Sequence, residues 1–323
     1  MLKCGVIGAG IISKRHLDAL KKHPKTEVAA IADLDRAKAF QAAEAYGAAA
    51  YTDYKEMLAQ ERLDMAIINL PHALHEESSL LCAKRGVHVL LEKPMSVSAA
   101  SCQRITRAFL EAGRVLQIGH VQRYFPENKK AKELILSGRF GRLVMIEDVR
   151  TSLYFTPVRP AWFLKKELSG GGIMMNLGAH SLDKIMYLTD SRIKEIRGYC
   201  GWDMPGCEVE GRAQALLQTE SGIPASITLC GYNDVPFNET TLYCTNGVIK
   251  LSTGSGLKAW NGSAFEEVEY LRDMEPFDEQ LNDFVEAAEG KVRPVTDGRY
   301  SGEIIGLIEQ IYGQNEEGFD AKQ

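Results

Sequence analysis

A chain of 323 residues with a net charge of -5, 45% hydrophobic and 25% charged, is too long for one ordinary hydrophobic core and too acidic to offer nucleic acid an electropositive footprint. No apolar run reaches the length of a bilayer span, and MLKCGVIGAG enters an apolar strand with no basic, hydrophobic leader ahead of it. The expectation is a two-domain cytoplasmic protein with no membrane or nucleic-acid partner, and seven cysteines without a C-x-x-C pair point to reduced thiols and no metal centre.

From residue 2 to 118, short apolar runs alternate with longer amphipathic segments, the pattern of parallel strands joined by crossover helices. Strands are expected at 4–7, 28–32, 48–51, 65–69, 87–91 and 115–118. Runs such as MAIINL and VHVLLE do not alternate, as suits strands buried on both faces. The fold class is therefore α/β, with a doubly wound Rossmann domain over residues 1–120.

Residues 121–323 read as an α+β domain. A helix over 128–137 ends at Gly138, and a strand follows at 143–151. The segments IKEIRGYCGW, GRAQALLQTE, PASITLCGY, ETTLYCT and GVIKLST are short, β-branched or alternating, and broken by Gly, Asn and Pro, so they form a largely antiparallel sheet. Two amphipathic helices, over 277–289 and 301–312, close the chain on either side of GKVRP.

Gly8-Ala9-Gly10-Ile11-Ile12-Ser13 follows the first strand and opens a helix. Gly8 suits the tight turn, Gly10 lets a pyrophosphate approach the backbone, and the amides through Ile11 and Ile12 lie at the helix N-terminus. Asp33 ends the second strand, where an acid accepts both ribose hydroxyls and repels a 2′-phosphate. Leu34 offers such a phosphate nothing, although Arg36 lies three residues on. NAD is favoured, with NADP the lesser choice.

Leu70, Pro71 and His75 follow the fourth strand, and Glu92, Lys93 and Pro94 follow the fifth. Ligands of open α/β sheets bind at such carboxyl ends, so both segments flank the nicotinamide half of the cofactor, and Lys93–Pro94 is placed for a cis bond. The H-x-x-H spacing of His72 and His75 lacks a carboxylate to complete a metal site. Two readings stand for Arg123: a hold on a substrate carboxylate or phosphate, or a domain-linking ion pair. Tyr154, Arg159, Trp162 and Lys166 lie in a segment suited to closing over a polar substrate, or to ordinary loop packing. His16, His23 and His88 are read as structural.

Taken in order, G-x-G, Asp33, Pro71–His75, EKP at Glu92–Pro94 and GGG…HSLD at Gly170–Asp183 resemble the glucose-fructose oxidoreductase / inositol dehydrogenase (Gfo/Idh/MocA) family over nearly the whole chain. The resemblance implies an open-faced C-terminal sheet used for assembly into a homo-dimer or homo-tetramer, and oxidation or reduction of sugars, cyclitols and related polyols. It implies that Lys93 contacts nicotinamide and the reacting oxygen and that His180 is the general acid/base facing substrate with Asn176, while Arg123, Tyr154 and Trp162 are substrate-facing candidates on the positional and loop readings above. A lysine beside a cationic ring and out of bulk water is drawn to a lower pKa, and histidine needs little tuning near neutral pH. Asn176 stands where many polyol dehydrogenases of the family carry aspartate, so it orients but cannot raise the imidazole pKa as a carboxylate would. The leading function is NAD(P)-dependent hydride transfer at a carbinol carbon. The rivals are a glycoside hydrolase using held NAD for transient oxidation and a non-catalytic dinucleotide sensor.

Overall fold

The computed structural model describes residues 1–273 and 275–315. The chain divides into two compact units, residues 1–120 with 277–305, and residues 121–276 with those from 306 onward. Residues 316–323, which the sequence assigns to the second domain, lie outside the described residues.

The first unit runs β1 (Leu2–Ile7), α1 (Ser13–Lys22), β2 (Thr26–Ala32), α2 (Arg36–Tyr46), β3 (Ala49–Tyr51), α3 (Tyr54–Gln60), β4 (Met65–Ile68), α4 (His75–Lys84), β5 (His88–Leu91), α5 (Ala99–Ala112) and β6 (Leu116–Ile118). All six expected strands are present, shifted by at most two residues at an end. They form one parallel sheet in the order β3-β2-β1-β4-β5-β6, so the chain reverses direction across the sheet between β1 and β4. That switch point opens a crevice at the carboxyl ends of the strands. Local chemistry fixes the helices: the Asp35 side chain caps α2, and Gly47 ends it in the left-handed region.

Residues 277–305 belong to this first unit, not to the second, where a division at residue 120 places them. Leu281, Phe284 and Val285 of α9 (Pro276–Ala288) share a core with Leu17 and Leu20 of α1 and with Val6, Ile31 and Ile67 of the sheet. The amphipathic stripe of α9 is plain in the sequence. Which sheet it covers is a long-range choice that periodicity does not encode.

The second unit holds α6 (Pro126–Leu136), β7 (Leu143–Thr151), α7 (Lys166–Ser169), α8 (Ala179–Thr189) and β8 to β14. Those strands are Ile193–Gly201, Arg212–Thr219, Pro224–Cys230, Phe237–Cys244, Gly247–Ser252, Gly256–Trp260 and Phe265–Glu267. The eight-stranded sheet has the order β14-β13-β12-β11-β7-β10-β9-β8, antiparallel throughout except for the parallel pair β7–β10. Ile146, Ile196, Leu217, Ile227, Leu242 and Ile249 are buried at alternating positions. Tyr199 and Leu216 are 76% and 70% exposed on the other face. The last helix, α10 (Gly298–Gly313), starts in the first unit and ends in the second.

Candidate active site

The turn between β1 and α1 is a glycine site. Gly8 takes φ +94°, and a Cβ there would stand 2.7 Å from the Asn69 carbonyl oxygen. Gly10 has nothing within 4 Å of the Cβ it lacks, so its backbone is open to close approach. Ser13, at the third glycine position, is buried and turns its hydroxyl back onto the Gly10 carbonyl at 2.6 Å. No side chain caps α1 at Ile12 and no acid occupies its first turn, which leaves the positive end of the helix dipole to an outside anion. Ile11 and Ile12 stand exposed beside that turn.

Asp33 organises the same turn, its Oδ2 accepting the Ala9 N–H at 2.7 Å and its Oδ1 the Asp35 N–H at 2.8 Å. Each oxygen keeps acceptor capacity for a ribose hydroxyl. Leu34 is exposed, and the Arg36 guanidinium lies over the Phe40 ring at 5.1 Å. A glycine cradle, an uncapped helix start and a fixed carboxylate at the next strand fit a dinucleotide.

Two strand ends meet beside this cradle through His75. The wholly buried imidazole has Nε2 2.8 Å from the Leu70 carbonyl oxygen and Nδ1 3.0 Å from that of Pro94. Burial is the dominant influence and holds its pKa below the ordinary imidazole range, against the raising effect of the two carbonyls. The His75 side chain is thus spent on the backbone that follows Leu70 and Lys93. The Lys93–Pro94 peptide is cis. Glu92 is buried, with Oε1 2.8 Å from His16 Nε2 and Oε2 accepting the Lys93 N–H at 3.1 Å. His72 is buried 5.9 Å from the His75 ring, and among the described residues no three His, Cys, Asp or Glu side chains gather as metal ligands.

In the second unit Asn176 and His180 lie on one helical path, but its first part, Met174–Gly178, is a π-turn that passes into α8. The Sδ of Met174 packs where a Cβ on Gly178 would stand. Such widened turns recur at functional sites. Asn176 is buried and His180 half-buried. The turn is held from below by the buried Glu210 carboxylate, which accepts the N–H groups of Gly172 at 2.7 Å and Met174 at 2.8 Å and the Tyr312 hydroxyl at 2.8 Å. Burial outweighs these bonds and raises the Glu210 pKa. A side chain at Gly172 would strike the Glu210 carbonyl.

Tyr154, expected to face substrate, is fully buried in this unit. Arg159 covers its ring at 4.1 Å and donates from Nε to its carbonyl at 2.7 Å. Burial raises the Tyr154 phenol, and the Asn176 side chain favours its ionised form more weakly. Trp162 is half-buried and stacks on Phe163 at 3.8 Å. Arg123 donates from Nε to Asp183 Oδ1 at 2.7 Å, an ion pair inside the second unit and therefore not the domain-linking pair that the sequence suggested. Sequence reasoning missed His16, Glu210 and Tyr312. Only the place of His16, one turn into the dinucleotide helix, could have marked it.

The crevice, the glycine turn and Asp33 define the first unit as a dinucleotide-binding domain of an oxidoreductase type. The chain belongs to the Gfo/Idh/MocA oxidoreductase family: residues 2–120 match its NAD-binding Rossmann model and residues 128–250 its C-terminal domain model. It is 30% identical over 72% of its length to a 1-carboxy-3-chloro-3,4-dihydroxycyclohexa-1,5-diene dehydrogenase of Comamonas testosteroni. It is 29% identical over 71% of its length to inositol 2-dehydrogenase 2 of Saccharopolyspora erythraea. The matches span 58% and 66% of those relatives' own length. The fold is that of aldose-aldose oxidoreductase from Caulobacter crescentus, with a TM-score of 0.89 at 24% identity over 98% of each chain.

Proposed function

We propose that this protein is an NAD-dependent dehydrogenase that transfers hydride at a carbinol carbon of a sugar- or cyclitol-like substrate. The observation that carries the reading is the built cradle of Gly8, Gly10 and Asp33 at the same sheet edge as the Glu92–Lys93–Pro94 turn. Two relatives support the substrate class, since their names denote a dihydroxylated ring and inositol. Bound NAD supplies the hydride acceptor.

The chain's own residues do the rest. Gly10 and the start of α1 bind pyrophosphate, Asp33 takes the ribose diol, and the segments after Leu70 and Glu92 flank the nicotinamide. Lys93 Nζ donates to the reacting oxygen, and His180 takes the hydroxyl proton during oxidation and returns it during reduction. Asn176 orients by hydrogen bonding and exchanges no proton. The open face of the second unit's sheet joins copies of the chain. The test is an NADH-formation assay over cyclitols, aldoses and sugar acids, with NAD binding measured alongside. Saturable NAD binding with no turnover on any of them would favour the dinucleotide sensor, and hydrolysis of a glycoside without net NADH would favour the hydrolase.

A further inference from the structure

Glu92 and His16 are buried groups of the first unit that the reaction above leaves unused. Glu92 Oε1 lies 2.8 Å from Nε2 of His16 on α1, and its other oxygen accepts the Lys93 N–H at 3.1 Å. Gly119, just past β6, closes a third side: a Cβ there would stand 3.1 Å from Oε1 and 3.2 Å from Cδ. The Phe277 ring meets the His16 ring edge-on at 5.0 Å and completes the enclosure. On the far side of Lys93, His75 holds the Pro94 carbonyl at 3.0 Å. The lysine is therefore held at the peptide before it, and the chain is held again one residue further on, at the carbonyl of Pro94.

The titratable groups acting on Glu92 are His16 and Lys93, and His75 lies beyond the lysine with burial opposing its charged form. Burial alone would push its carboxyl up, but the hydrogen bond and charge of His16 and the charge of Lys93 outweigh it and hold the group below the usual carboxylate range. A buried anion at the residue before a lysine favours that lysine's ammonium form. A cationic nicotinamide has the opposite effect.

We propose that Glu92, gripped by His16, is a positioning residue that fixes the backbone direction of Lys93 and keeps its side chain charged. The functional weight of this pair rests on the role given to Lys93 above. It also places the lysine and the pyrophosphate-binding helix on one buried hydrogen-bonded line, since His16 sits on α1.

The test reads Lys93 directly. Lysines of the full-length protein are dimethylated with carbon-13 formaldehyde, and the Lys93 resonance is the one missing from Lys93→Arg. Its titration midpoint should fall by about one pH unit in Glu92→Gln, a tenfold shift in the acid–base equilibrium, the scale of a nearby opposite charge. Gly119→Ala, which crowds the Glu92 carboxylate without removing a charge, should move it less, in the same direction. NADH fluorescence checks that each variant is folded. An unchanged midpoint in Glu92→Gln overturns the proposal. Should Glu92→Gln fail to fold, Gly119→Ala, which deletes no polar group, decides: an unmoved Lys93 midpoint and chemical shift there overturn it equally. Normal turnover in Lys93→Met alongside a shifted midpoint would instead remove the catalytic role of the lysine and leave the pairing intact.

Discussion

Lys184 on α8 donates to Asp148 Oδ1 on β7 at 2.9 Å, with neither side chain exposed. Lys184 also reaches Thr240 Oγ1 at 2.9 Å and Asn238 Oδ1 at 3.2 Å, and the Thr240 hydroxyl donates to the same Asp148 oxygen at 2.5 Å. Burial would raise Asp148, but the charges of Lys184 and Arg150 and its hydrogen bonds outweigh it and hold its carboxyl low. The helix that carries His180 is thus pinned to the sheet by a buried ion pair. Removing one partner strands the other, so Lys184→Met should cost about 3–5 kcal/mol in denaturant unfolding. Lys184→Met with Asp148→Leu should recover most of that. A single-variant loss below about 1 kcal/mol would show that the pair does not anchor the helix.

His75 makes an acid-sensitive brace. A neutral imidazole has one N–H, so only one of the two carbonyls it touches receives a hydrogen bond at a time, while burial opposes the charged form that would serve both. Its folded pKa lies below its unfolded value, so the unfolded chain binds the proton first. Stability is therefore present above the unfolded pKa and is lost as pH falls through the lowered folded one. The Tm of the unsubstituted protein should drop more between neutral pH and the acidic side of the histidine range than that of His75→Gln, whose amide does not titrate. Parallel Tm profiles for the two would refute this.

The strands of the first unit and the glycine turn are legible in the sequence because they depend on local facts. Consecutive apolar residues such as those of β4 need two covered faces, and Gly8 needs a positive φ. The destination of α9 is not legible, because Phe284 and Val285 would cover any apolar sheet equally well. Nor is the parallel pairing of β7 with β10, which joins strands more than seventy residues apart in the chain. At the site, spacing locates Lys93, Asn176 and His180 but is silent on what lies behind them. Tyr154 reads from composition as a loop aromatic facing substrate, yet it is buried beneath Arg159. Residues 174–178 form a π-turn that leads into α8, with the Gly172 and Met174 N–H groups held by Glu210, and a widened turn leaves no mark in the spacing of side chains that locates Asn176 and His180.

Cofactor choice follows from Asp33, whose carboxylate is fixed by the Ala9 and Asp35 amides and would face a 2′-phosphate with like charge. NAD should bind at least about tenfold more tightly than NADP, the scale of one unfavourable charge contact. Asp33→Ala should narrow that gap mainly by weakening NAD. Equal dissociation constants in the unsubstituted protein would remove the claim.

Assembly through the open sheet is expected because Tyr199 on β8, Leu216 on β9 and Met145 on β7 are all exposed on strands whose alternate residues are buried. Light scattering at micromolar concentration should give a dimer or tetramer, and Tyr199→Glu with Leu216→Glu should lower the mass while NADH binding persists. A monomeric unsubstituted protein would contradict the assignment.

The chemical step should separate Lys93, His180 and Asn176 by kind of effect. Glu92 accepts the Lys93 N–H and His75 holds the carbonyl of the next residue, Pro94, so substitution of the Lys93 side chain removes a donor without dismantling the glycine cradle. His180 stands half-buried beyond a π-turn that Glu210 holds, so its truncation leaves the backbone of that turn in place. Lys93→Met and His180→Ala should each lower turnover by about a hundredfold or more, the usual scale for a positioned proton-transfer group. NAD affinity should be nearly unchanged in His180→Ala and only modestly weaker in Lys93→Met. Asn176→Ala should lose less, because its amide orients without exchanging a proton, and Asn176→Asp should move the pH–rate limb assigned to His180 upward by placing a carboxylate one helical turn away. Turnover near normal in His180→Ala across the pH range would end its assignment as acid/base. With Tyr154 buried beneath Arg159, the search would then pass to Tyr124, half-buried at the start of the second unit.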